Sequence, residues 1–207
     1  MFEHFPFWNR AALLAGLMLV GAAVDRLRHG EAANRHKEYG FIWLTGIIGC
    51  LAGGINDLIT SSISPDYFIL GKGLAAGEGF RLRAVLFGVQ EGLSAGVIAG
   101  AICVYVARGG SKRPPVEFNF LFRLLGRPIC CAAAGALLVP VLAGHYDPAG
   151  LALKMSETEQ AQTIVPAFLR VWWIHTGLYA GLLAGVLWMV AAIMVKRRRS
   201  KESEPVR

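Results

Sequence analysis

Residues 84–107 read AVLFGVQEGLSAGVIAGAICVYVA, 24 positions in which Glu91 is the only charged side chain. A run of this kind exceeds the roughly 20 apolar residues that carry a helix across a hydrocarbon core. Gly88, Gly92, Gly96 and Gly100 recur every fourth residue within it, so they share one helix face. Such a stripe lets a second backbone come close enough for dispersion to drive association where lipid removes the hydrophobic force.

The same pattern returns once. Glu91-Gly-Leu-Ser-Ala-Gly-Val-Ile-Ala-Gly100 lies over Thr176-Gly-Leu-Tyr-Ala-Gly-Leu-Leu-Ala-Gly185 at an offset of 85, with six of ten positions identical, and Gly177, Gly181 and Gly185 repeat the stripe. Two further apolar runs, 39–56 and 128–144, precede the glycine-striped runs 84–107 and 171–195. The offset carries 41–59 onto 126–144, although these first helices agree poorly in sequence. The expected fold is an all-α integral membrane protein with four transmembrane helices as two hairpins in a parallel repeat. Independent convergence on small-residue packing is the competing account of the likeness.

Residues 1–38 would add an N-terminal hydrophobic helix, Ala11 to Val24, and a basic loop. Gly21-Ala22-Ala23 has the small residues of a signal-peptidase site. Cleavage there would leave Arg26, Arg28, Arg35 and Lys37 outside, so retention of residues 5–24 as a helix is the preferred reading. The rest divides into a first hairpin at 39–107, a loop at 108–127, a second hairpin at 128–195 and a basic tail at 196–207, all within one membrane domain.

Of the 207 residues only 17% are charged, against about 25% in soluble domains. A soluble enzyme, a secreted disulfide scaffold and a disordered tail are excluded. The net charge of +7 falls outside the apolar runs, where it sets orientation and does not signal nucleic acid. Arg108, Lys112, Arg113, Arg123 and Arg127 face Glu117 alone in the loop, and the tail begins Lys196-Arg197-Arg198-Arg199. Both belong on the cytoplasmic side of a cell inner membrane. The 145–167 segment, with Asp147, Glu157 and Glu159 against Lys154, belongs outside. Cys50, Cys103, Cys130 and Cys131 all lie in apolar runs and read as buried thiols behaving as small hydrophobes.

An ionisable group inside a span is costly and marks function by default. Glu91 lies eight residues in from Arg83, about 12 Å deep, and His175 five residues in from Arg170. With Gln90, Asn56, Asp57 and Thr60, and with Tyr179 one turn after His175, they would form a polar cluster at the outer end of the bundle. Gln90-Glu91 would face His175-Thr176 across the pseudo-axis. Carboxylates and imidazoles carry protons or bind borderline metals. His145, His175 and Glu91 are metal candidates without the spacing of a dedicated site. Ser64-Pro65-Asp66 predicts a capped, short interfacial helix through Leu70, followed by a flexible connector at Gly71, Gly73, Gly77 and Gly79.

The set Asn56-Asp57-Leu-Ile-Thr60, Ser64-Pro-Asp-Tyr67-Phe68 and His175-x-x-x-Tyr179 resembles a bacterial family of small multi-pass membrane proteins without an assigned activity. Its members often carry His-Asp where this chain has Asn56-Asp57. The resemblance spans roughly 39–195 and implies no cofactor or substrate.

Three functions fit these residues. The first is transport of a small solute, proton or ion through the outward-facing cluster. The second is an accessory role in a homo-oligomer or larger membrane complex, packed through the glycine stripes. The third is metal binding or enzymatic chemistry at the same groups. Nucleotide loops, nucleophile elbows and zinc-protease helices are missing from the sequence.

Overall fold

The computed structural model describes residues 6–110, 114–144, 146–147, 150 and 161–202. These residues form helices and connections only: α1 (Phe7–His29), α2 (Arg35–Ile63), α3 (Phe80–Arg108), α4 (Phe118–Leu124), α5 (Gly126–Ala143) and α6 (Ala161–Glu202). A π-helical turn, Tyr67–Gly71, lies between α2 and α3. Among the described residues, five helical segments are long and apolar enough to cross a membrane, with α4 and α5 together making one of them. The chain has an all-α membrane-type fold.

Local chemistry sets the boundaries. Gly30, at φ 57°, ends α1 in a left-handed conformation that a glycine adopts without a side-chain clash. Asp25 Oδ2 then accepts the backbone N–H groups of Asn34 and Arg35 at 2.9 and 3.0 Å, placing a carboxylate at the unsatisfied N-terminus of α2. The helices are longer than expected because polar and interfacial residues continue them past the apolar runs: α1 runs Phe7–His29 where Ala11 to Val24 was expected, and α2 continues to Ile63. α2 starts at Arg35, α3 at Phe80 and α6 at Ala161, while the basic tail is helical to Glu202. Arg197 in that tail is buried and donates to the carbonyls of Val106, Gly109 and Pro114 at 2.6, 2.8 and 3.1 Å, closing the C-terminal end of α3. The 108–127 segment likewise contains α4.

α2 packs along α3, and α5 along α6. In each pair the backbones meet at glycine. A Cβ at Gly92 would strike Gly49 O, and one at Gly96 would strike Thr45 O. In the second pair, Gly177 meets Gly135 O and Gly181 meets Cys131 O. The contacts therefore repeat with α3 and α6 in register at 85, but with α2 and α5 in register at 86. Even at 86 the first helices share only two of nineteen positions, 41–59 over 127–145, so the likeness there is in the glycine contact and not in the sequence.

The hairpins touch mainly through α3 and α6, while α2 and α5 scarcely meet. One apolar cluster joins them at the Arg108 end, around Phe41, Cys103, Leu121, Met189 and Ile193. A second, around Tyr67, Phe68, Ala84, Phe168 and Val171, joins them at the Asp57 end. α1 lies beside α2 and buries no residue of its own. Against the expectation of four buried thiols, only Cys103 is buried; Cys50 and Cys131 are half-buried and Cys130 is exposed, positions that an apolar thiol can take on a lipid-facing helix surface; all four cysteines are free.

Candidate functional site

Asn56, Asp57 and Thr60 lie within about one turn of α2 and point toward His175 on α6. Thr60 and Asp57 are 1% and 2% exposed, and His175 is 3% exposed, so their polar atoms must find partners inside the protein. Asn56 Nδ2 donates to Asp57 Oδ1 at 3.0 Å and lies 3.2 Å from His175 Nε2. Thr60 Oγ1 is also 3.2 Å from Nε2, and Asp57 Oδ1 is 3.5 Å away.

The Thr60 hydroxyl gives its one proton to Asn56 O at 2.8 Å, which leaves its oxygen to accept. Protonated at Nε2, His175 donates to Thr60; unprotonated there, it accepts from Asn56. Nε2 therefore has a partner in either neutral tautomer. The ring is held between Tyr67, stacked at 4.8 Å between centroids, and Phe68, edge-on at 5.9 Å.

Those two aromatics come from the π-helical turn. Ser64 Oγ accepts the backbone N–H of Tyr67 at 3.3 Å, and the turn carries Tyr67 and Phe68 into the bundle, 7% and 0% exposed. The expected short segment through Leu70 is helical, with Pro65 and Leu70 exposed, but its Tyr67-Phe68 pair turns inward because the rings of His175 and Phe168 are there to pack against. Burial, ahead of the nearby carboxylates, raises the Tyr67 hydroxyl well above its ordinary range and keeps it neutral.

Glu91 belongs to a second, adjoining group. Lys72 Nζ donates to Oε1 at 2.7 Å and Tyr179 Oη donates to Oε2 at 2.7 Å. Lys72 also lies over the Phe87 ring, 5.0 Å from its centroid. Sequence reasoning assigned Lys72 to a flexible connector and missed it. The available signal was electrostatic: Glu91 in a span demands a counter-charge, and Lys72 is the lone lysine between Lys37 and Lys112.

The residues expected to converge therefore do so as two groups, Asn56–Asp57–Thr60–His175 and Lys72–Glu91–Tyr179, joined where His175 and Tyr179 lie one turn apart on α6. Glu91 meets Tyr179, one turn beyond the His175-Thr176 pair that the repeat placed opposite it. Gln90 does not line the cavity described next. His145 lies outside the described residues. Among the described residues, no three histidine, cysteine or acidic side chains are grouped to hold a metal ion.

Between the hairpins lies a cavity of about 340 Å³. Asn56, Asp57, Glu91 and Tyr179 line one end; Ala52, Gly92, Ala95 and Ala132 line the middle; Phe41, Cys103 and Met189 close the other. Phe41 to Asp57 spans about 24 Å along α2 at ~1.5 Å per residue. Thr45 is the only hydroxyl-bearing residue along the apolar stretch, and it donates to Ile42 O at 2.8 Å. Asp57 Oδ2 has no hydrogen-bond partner among the described residues. Comparison with known families, curated proteins and solved structures finds no match.

Proposed function

We propose that the chain is a membrane-embedded binding protein for an amphiphile that enters from the bilayer, its polar end held by Asp57, Glu91 and Tyr179 and its hydrocarbon tail lying between the hairpins. The single observation behind this reading is the cavity's polarity: its charged groups stand at one end, and the remaining 24 Å or so is walled by alanine, glycine and aliphatic side chains. Ligand cavities of roughly 300–1,000 Å³ with a few convergent polar groups are the usual form of a small-molecule site. The scant contact between α2 and α5 supports entry from the lipid side. By the positive-inside tendency, Arg108 and Lys196–Arg199 lie in the cytoplasm and the polar end faces the opposite side.

Mass spectrometry of the protein released from detergent tests this reading. A co-purifying amphiphile is expected, and it should be lost in Ala95→Phe, which fills the middle of the cavity. Undiminished retention in a folded Ala95→Phe protein would overturn it.

A second reading, transport of protons or small ions at the same end, is favoured by one observation: the Asn56–Thr60–His175 set accommodates either imidazole tautomer, as a proton relay requires. Proton uptake into vesicles that persists in Asp57→Asn would remove it. The apolar walls toward Phe41 offer a hydrated ion few ligands, which places this reading second.

A further inference from the structure

Resting on the amphiphile reading, we infer that the bound molecule carries a positively charged head group, an ammonium on a long hydrocarbon tail. Charge counting leads there. The two linked groups contain two carboxylates, Asp57 and Glu91, and one lysine, Lys72, whose ammonium is engaged by Glu91. Nε2 of His175 has a partner within 3.2 Å whether or not it carries the proton, Thr60 as acceptor or Asn56 as donor. Lys72 is thus matched to Glu91, and Asp57 is the carboxyl left without a lysine or arginine paired to it among the described residues.

The geometry agrees. Asp57 is 2% exposed and lines the cavity, its Oδ1 accepts from Asn56, and its Oδ2 is buried without a partner among the described residues. A buried carboxylate oxygen left unpaired is costly, whereas an ammonium set against it gains a charge-assisted hydrogen bond. Glu91 and Tyr179 line the same end, so the cation would sit among two carboxylates and an aromatic ring, which also favours positive charge. An anionic head group would face Asp57 and Glu91 across the same space and be repelled, since Lys72 offsets only one of them.

Binding of three probes to the full-length protein in neutral maltoside detergent tests the inference. The probes share a hexadecyl tail and end in a primary ammonium, an alcohol or a carboxylate. The ammonium probe should bind about tenfold tighter than the alcohol, a difference of ~1.4 kcal/mol, with the carboxylate weakest. In Asp57→Asn the preference should shrink while alcohol binding persists. Equal binding of ammonium and alcohol, with both displaced by Ala95→Phe, would overturn the cationic assignment and leave the amphiphile site standing. Failure of all three to bind would overturn both. The comparison on the unmodified chain stands even if Asp57→Asn fails to fold.

Discussion

Asp57 lies across Gly88: a Cβ at position 88 would stand 2.7 Å from both Cγ and Oδ2 of the carboxylate, and would also strike Gly53 O. The glycine that brings α3 against α2 is therefore also the one that gives the site's central carboxylate its room. Packing and chemistry share a residue here.

Gly88→Ala should accordingly do two things. Overpacking of the α2–α3 contact costs about 1–3 kcal/mol, visible as a lower melting temperature in detergent. Displacement of Asp57 should weaken ammonium-probe binding as much as Asp57→Asn does. Loss of stability with binding unchanged would show that the two roles are separable.

Equivalent glycines in the two hairpins should respond alike. Gly49→Ala and Gly135→Ala both drive a Cβ into a carbonyl, of Gly92 and Gly177 respectively. Each should destabilise by similar amounts, about 1–3 kcal/mol. Gly16→Ala, with nothing within 4 Å of its added carbon, should be neutral or slightly stabilising through helix propensity. Thermal unfolding of the three variants side by side is the measurement.

The Lys72–Glu91 pair is partly exposed, at 19% and 31%, so its net worth is modest. A double-mutant cycle of Lys72→Met and Glu91→Gln should give a coupling of about 1 kcal/mol. Lys72→Met alone should cost more than the double substitution, because it strands a carboxylate within the bundle. An additive cycle would place Lys72 away from Glu91 in the membrane.

Thr60→Val keeps the side chain's shape and deletes the acceptor for His175 Nε2–H. A loss of about 1 kcal/mol is expected, with the imidazole confined to the tautomer that accepts from Asn56. Nitrogen NMR shifts of labelled His175 would report that confinement; a ring unchanged in Thr60→Val would remove Thr60 from the network.

What was legible in the sequence follows from where lipid imposes a rule. The long apolar runs made the spans plain, and the single carboxylate in 84–107 marked Glu91, because an ionised group in hydrocarbon is rare without a role. The convergence of Asp57, Glu91 and His175 at one end followed from counting residues along those runs. Their division into two bonded groups did not, since it depends on how α6 is rotated against α2 and α3. Lys72 and the burial of Tyr67 and Phe68 were hidden because a connector has no periodicity to reveal which side chains turn inward. The glycine contacts recur at 86 in α2 and α5 and at 85 in α3 and α6, a correspondence carried by backbone approach that the side chains of the first helices do not record.

Photolabelling reports where the hydrocarbon tail lies. A hexadecylammonium probe with a diazirine along its tail, activated on the purified protein, should label peptides carrying Ala52, Ala95 and Ala132. That labelling should vanish in Ala95→Phe. Labels confined to outward-facing residues such as Leu137 and Leu142, and insensitive to Ala95→Phe, would contradict an amphiphile site between the hairpins.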